Sequence, residues 1–268
     1  MTTPRTFHVL PRTTGRHDVP DDSCALLGFA TLTLDAGATH EDHTRDRELL
    51  LVVLSGTARV DTDHATFDAV GRRANVFAGL PHSVYLPRGT RYRVTALTPL
   101  EAALPSAPSD LDTDPYEITP EQVRTGTWGA LNYTRTYREI LVAPNLLPAS
   151  RLIVGETITP SGHWSTYPPH KHEQDTGNEK FHEEMYYFRL SSPEAFGLAR
   201  HYSQERGYDA THTVRDHTLL ALPHGYHTFV GAPGYQSYYL WFLAGTGRTQ
   251  GVTLDPDVGW VQKTTLML

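Results

Sequence analysis

The sequence predicts an all-β protein built from two strand-rich halves, each folded as a β-sandwich or barrel. Three observations carry that expectation. Short runs of β-branched, aromatic and aliphatic residues recur along the chain. Gly, Pro and Asn/Asp punctuation breaks them at short spacing, as all-β domains require. One polar, proline-bearing stretch separates the runs into two series.

The elements follow in order. Residues 30–34 (ATLTL) alternate as a half-buried strand does, and residues 48–60 (ELLLVVLSGTARV) break at Ser55-Gly56 as a hairpin would. Residues 75–78, 83–86 and 92–96 read as further short strands. Residues 104–115 (LPSAPSDLDTDP) read as a linker. Thr119-Pro120-Glu121-Gln122 opens a short helix that ends by Gly126, with a threonine cap, proline at the first helical position and glutamine placed for a capping box. Residues 151–159, 184–190, 197–202, 218–222 and 237–243 supply the second strand series. The expected division is therefore 1–103, a linker with a short helix over 104–130, and 131–268. The halves share little sequence, so their likeness is one of architecture.

Composition narrows function. The chain has 268 residues, 39% of them hydrophobic, with a formal charge of -7 and one cysteine. Such a composition describes a folded globular protein. Without a basic cluster, nucleic acid is not the expected partner. No apolar run approaches the roughly 20 residues a membrane helix needs, and the first residues lack a signal-peptide layout. One cysteine permits no internal disulfide, so a reducing cytoplasm is the expected setting. The histidines stand out: of 15, nine lie from His163 to His227. Imidazole is the commonest metal ligand, so a metal site is expected in the second half.

Within HWSTYPPHKHEQDTGNEKFHEEMYYFR (163–189), His170 and His172 are two apart, which on a strand puts both on one face. Glu184, Tyr186 and Phe188 share a face of the following strand, although Glu183 is adjacent and equally able to bind. Pro223-His224-Gly225-Tyr226-His227 then delivers one more imidazole after a tight turn. Three nitrogens and one carboxylate suit a divalent ion with positions left for substrate. His163, His182, His201, His212, His217 and His224 are expected at the surface or behind the ligands.

The order HxH, glutamate on a strand, Pro-Gly turn, histidine resembles the cupin metal motif. The segments WSTYPPHKH, EEMYYFR, TVRDHTLLALPHGYH and APGYQSYYLWFLAG together resemble the 5-deoxy-glucuronate isomerase family of inositol catabolism. The similarity extends over NYTRTYREIL, RLIVGETITPSGHWS and DPDVGW and, more loosely in the first half, over RELLLVVLSGTARV and RANVF, nearly the whole chain. The resemblance implies a bicupin of two jelly-roll barrels, with one divalent ion (zinc, manganese, iron or nickel) held by His170, His172, Glu184 and His227. It implies a metal-free first half: Glu48 is retained on its strand, but His40 and His43 are three apart, and His82 only mimics the last ligand.

The resemblance further implies a metal-dependent aldose–ketose isomerase that turns 5-deoxy-glucuronate into 5-dehydro-2-deoxy-gluconate. Its chemistry is proton transfer through a metal-stabilised enediolate. Glu156 is the first candidate for the base, with Tyr187 and His163 as alternates. Arg135, Lys171 and Arg189 are candidates for the cation that binds the substrate carboxylate. A uronate is the expected partner, and a homodimer is the default assembly. Other readings are a 5-dehydro-4-deoxy-glucuronate isomerase, an iron oxygenase and a non-catalytic sugar-binding cupin.

Overall fold

A computed structural model describes residues 5–20, 22–143 and 147–266, the last without its side chain. Nearly all regular structure is antiparallel strand, arranged in four sheets. In the first half, a six-stranded sheet (in order Tyr116–Ile118, His82–Leu86, Arg47–Ser55, Leu100–Pro108, Gly28–Leu34, Gly15–Asp18) faces a four-stranded one (Thr39–His43, Arg91–Ala96, Ala58–Thr62, Thr66–Val70). In the second, a seven-stranded sheet runs Phe7–Val9, Thr218–Leu222, His182–Leu190, Ser237–Gly245, Ile153–Thr159, Arg135–Leu141, Arg124–Trp128. It faces a five-stranded sheet of Tyr208–Val214, Gly197–Ser203, Tyr226–Gly231, Trp164–Lys171 and Thr253–Leu254. The expected all-β architecture stands, as a pair of sandwiches: no ladder among the described residues joins the facing sheets into a closed barrel.

Three apolar cores explain why so many strands read as unbroken hydrophobic runs. One fills the first sandwich around Leu51, Val53, Val84 and Val94. Another fills the second around Tyr186, Phe188, Phe229 and Trp241. The third lies between the two large sheets, joining Leu50, Val52 and Tyr85 to Val154, Met185, Tyr187 and Phe242. Strands of the large sheets are therefore buried on both faces and lose the polar alternation of a half-exposed strand. No helix of the structure is long and apolar enough to cross a membrane.

Several local expectations change. Residues 75–78 form a turn, because the Asn75 side chain accepts the Phe77 N–H (2.9 Å) and its carbonyl accepts that of Ala78. The helix after Thr119 is one 3-10 turn, Pro120–Gln122. Its capping box forms, with Gln122 Oε1 accepting the Thr119 N–H at 2.8 Å, but Val123 is extended and the strand Arg124–Trp128 starts at once. The stretch read as a linker thus contributes the end of Leu100–Pro108, Tyr116–Ile118 and an edge strand of the second half. Phe7–Val9 crosses over to pair with Thr218–Leu222 in that same half.

The halves repeat each other in register. Arg47–Ser55 and His182–Leu190 each lie between a five-residue and a nine-residue strand. Leu49 pairs with Leu86 as Glu184 pairs with Leu222. Glu48 pairs with Ala107 as Glu183 pairs with Ala244. Glu48 therefore corresponds to Glu183, and the position of Glu184 is taken in the first half by Leu49.

Candidate metal centre and active-site cavity

The strand His182–Leu190 divides its side chains between two cores. Met185 and Tyr187 face the seam between the halves, while Glu184, Tyr186 and Phe188 face the interior of the second sandwich. The choice between Glu183 and Glu184 follows from this alternation. Glu183 turns to the seam and accepts the N–H groups of Ala25, Leu26 and Leu27 at 2.7, 2.8 and 3.2 Å.

Opposite Glu184, Trp164–Lys171 pairs with Tyr226–Gly231 at both ends but not across Pro168-Pro169, where no N–H is available. At its inner end His170 stands beside His227, with ring centres 4.8 Å apart. His172 follows, its Nδ1–H donating to the His182 carbonyl (2.7 Å). Ligand nitrogens of His170, His172 and His227 all lie within 4.8 Å of one another. Glu184 Oε2 lies 3.0 Å from His172 Nε2 and 3.1 Å from His227 Nε2.

The protonation logic of this cluster fits a bound cation. A neutral His172 that donates from Nδ1 presents a lone pair at Nε2. That lone pair faces a carboxylate oxygen, and two acceptors 3 Å apart need a proton or a metal ion between them. His227 Nε2 is buried without a hydrogen-bond partner. Burial, and then the neighbouring His227 and His172, push His170 well below the ordinary imidazole value. Burial opposes ionisation of Glu184, yet its hydrogen bond to His172 and the charge of His227 beside it hold it well below the carboxylate range. An anionic oxygen among three nitrogen donors is the kind of ligand set a divalent metal takes.

A cavity of about 160 Å³ opens onto the cluster, walled by Trp128, Arg135, Thr157, Thr166, Tyr186, Tyr239 and Trp241 among others. Tyr239 Oη meets Ser165 Oγ at 2.6 Å, and Thr166 Oγ1 lies 3.4 Å from both Tyr239 and Tyr186 hydroxyls. Arg135 Nε, Thr157 Oγ1 and Trp241 Nε1 are buried without partners. Gly155 makes room here, since a Cβ on it would meet the Trp241 ring at 2.2 Å.

The other candidates are displaced. Glu156 is not in the cavity: Thr157 and Gly155 take the inner face of Ile153–Thr159, so Glu156 faces the seam. There it is fully buried against Arg73 (2.9 and 2.6 Å), Arg138 (3.3 Å) and the Tyr238 hydroxyl (2.8 Å). Tyr187 is likewise on the seam side, bonded to His217. His163 holds the Thr134 carbonyl with Nδ1 (3.0 Å) and does not line the cavity. Arg189 pairs with Glu101 and Asp216, and Lys171 with Glu173. Of the three cations only Arg135 reaches the cavity.

Reading the strands in isolation missed Trp128, Thr166, Tyr239 and Trp241; alternation along 237–243 was the available signal for the last two. His182 and His201, expected at the surface or behind the ligands, are buried and bonded to carbonyls, and the His182 carbonyl in turn accepts from His172.

Comparison with known proteins places this geometry. The model of the KduI/IolB family matches residues 9–261. A curated 5-deoxy-glucuronate isomerase of Geobacillus thermodenitrificans is 38% identical over 242 residues, covering 90% of this chain and 88% of its own. The Bacillus subtilis enzyme of the same name is 35% identical, covering 91% and 92%. An IolB-like protein of Salmonella typhimurium superposes with a TM-score of 0.91 at 31% identity, over 96% of this chain and 99% of that one. An oxalate decarboxylase aligns with a TM-score of 0.65 at 13% identity over 95% of this chain and 80% of its own, a likeness of bicupin fold alone.

Proposed function

The chain belongs to the KduI/IolB family, and from that membership and its buried cavity we infer that it isomerises 5-deoxy-glucuronate to 5-dehydro-2-deoxy-gluconate. The observation that carries the reading is the set of unpartnered buried atoms in one place. Arg135 Nε, Thr157 Oγ1 and Trp241 Nε1 all line the cavity. Buried polar atoms are left unpaired at a cost of about 1–3 kcal/mol each, so three around one cavity point to a polar ligand.

His170, His172, Glu184 and His227 would hold one divalent ion, which when bound supplies Lewis-acid stabilisation of the negative charge that develops on substrate oxygens. The chain's own groups do the rest. Trp128, Trp241 and Leu243 exclude water from the reacting carbons. The hydroxyls of Tyr186, Thr166 and Tyr239 are in reach of one another and donate hydrogen bonds to the aldehyde and hydroxyl oxygens. The reaction balances internally: one proton leaves C2, one arrives at C1, and the hydroxyl proton of O2 passes to O1, with no external oxidant. Glu184 is the one carboxylate lining the cavity among the described residues, so proton traffic is confined to it, the imidazoles and these hydroxyls.

The test is turnover of 5-deoxy-glucuronate by metal-loaded protein, with bound metal measured in parallel for His172→Ala and Glu184→Ala. Both variants are expected to lose metal and activity together. Full metal content in folded variants would remove these ligands, and turnover of 5-dehydro-4-deoxy-glucuronate in place of 5-deoxy-glucuronate would replace the substrate.

A further inference from the structure

We propose that Arg135 is the anchor for the carboxylate at the far end of the substrate, and that it makes the site select sugar acids over neutral sugars. The proposal rests on the isomerase reading and adds the element that decides its substrate class.

Arg135 opens the strand Arg135–Leu141, directly across from Trp128 in the ladder. It stands between two spaces. The inner cavity meets the candidate metal-ligand cluster, and a larger cleft of about 500 Å³ adjoins it, sharing Trp128, Arg135, His170 and Val252 with it. Among the residues lining either space, Arg135 is the one arginine or lysine. A carboxylate meeting it therefore lies at the outer end of a molecule whose other end reaches His170.

Its partners are those of a waiting cation. One Nη1 faces the Tyr133 and Tyr167 carbonyls at 3.1 and 3.5 Å, the guanidinium carbon lies 5.8 Å over the Trp128 ring, and buried Nε has no partner. No carboxylate pairs with it among the described residues, in contrast to Arg73 with Glu156 and Arg189 with Glu101 and Asp216. Burial works against its charge, and only the phenols of Tyr239, Tyr186 and Tyr133 work the other way. A buried charge left without a counter-ion is costly to the fold, and an incoming carboxylate relieves that cost with charge-assisted hydrogen bonds.

The backbone is shaped to hold the group there. Gly129 has φ of +80°, and a Cβ on it would lie 2.2 Å from the Tyr133 carbonyl oxygen and 2.8 Å from Arg135 Nη1. Gly129 thus lets the carbonyl and the guanidinium come together beside Trp128.

The experiment compares wild type, Arg135→Gln and Arg135→Lys, each loaded with metal, on 5-deoxy-glucuronate and on 5-deoxy-glucose, which carries a neutral hydroxymethyl at the same end. Arg135→Gln is expected to raise KM for the acid by about 100-fold, the loss of a charged bidentate contact, with a smaller change in kcat. Arg135→Lys should recover part of that loss, and both should leave kcat/KM for the neutral sugar within about threefold. Equal losses on both sugars would make Arg135 a structural cap of the Tyr133 turn and overturn the proposal, as would a wild-type KM. If wild type turns over neither sugar, the isomerase reading has failed by itself, and the anchor is read by calorimetry. Glucuronate binding that disappears in Arg135→Gln supports it, and unchanged or absent binding in wild type refutes it.

Discussion

Glu156→Gln separates a catalytic glutamate from a structural one. The sequence pointed to Glu156 as the base, but the structure places it at the seam, fully buried, accepting from two arginines and a tyrosine. Glutamine keeps the shape and removes the charge, so Arg73, itself 4% exposed, faces a neutral amide. Breaking a buried pair from one side costs about 3–5 kcal/mol. Glutamine retains an acceptor oxygen, so the low end, about 3 kcal/mol, is expected. For a chain of 268 residues, with unfolding entropy of about 2.1 cal/mol/K per residue, that loss lowers Tm by about 5 °C. Differential scanning calorimetry reads the shift, and turnover of the same preparation at 25 °C reads catalysis, with kcat expected within about twofold of wild type. A wild-type Tm with kcat reduced a hundredfold or more would refute the reasoning and return Glu156 to the mechanism.

Three further outcomes follow from the same geometry. Glu183→Ala leaves the N–H groups of Ala25, Leu26 and Leu27 without their acceptor and should destabilise by about 2–4 kcal/mol in urea denaturation, with bound metal unchanged. Burial, reinforced by Arg189, holds His217 below its ordinary value of 6.5, so the unfolded chain binds the extra proton. Its contribution is full above pH 6.5 and lost as pH falls below it; the drop in urea midpoint from pH 7.5 to 5.5 should be smaller in His217→Gln. Tyr186→Phe removes one hydroxyl of the cavity row while keeping the ring against His227, and should lower kcat about 10- to 100-fold at unchanged metal content, measured by plasma emission.

How much of the site was legible in the sequence depended on whether a strand's two faces differ. The cluster was readable because His170 and His172, Glu184 and Tyr186, and the turn before His227 are tied together by local spacing. Glu156 shares its face with Val154 and Ile158, as strand alternation requires. What alternation does not say is which face meets the cavity. In Ile153–Thr159 and His182–Leu190 both faces are buried, one in the second sandwich and one in the seam, so no polar face marks the outside. Tyr187, named as an alternate base, lies on the seam face of the same strand. Trp128 fell just past the short helix, in the 104–130 segment assigned between the halves, yet it forms the cavity wall beside Arg135 by pairing with the next strand in sequence.

The seam also explains why the first half can resemble the second without sharing its chemistry. Glu48 accepts the N–H groups of Ser150, Arg151 and Leu152 at 2.7, 2.6 and 2.7 Å, in the segment that leads into the strand Ile153–Thr159 of the second half. Glu183 does the same for residues 25–27 ahead of Gly28–Leu34. Each half thus clasps the other with the carboxylate at one corresponding position, and six backbone donors depend on the pair. The next position in each strand points inward, free of that duty. In the second half it is Glu184, between His172 and His227; in the first it is Leu49, packed in the apolar core. Arg91 pairs with His43 where His227 pairs with His170, so the first half sets a guanidinium where the second sets an imidazole. Retention of Glu48 therefore reports the clasp between halves, and whether a carboxylate joins the inward imidazoles is decided by the residue beside it.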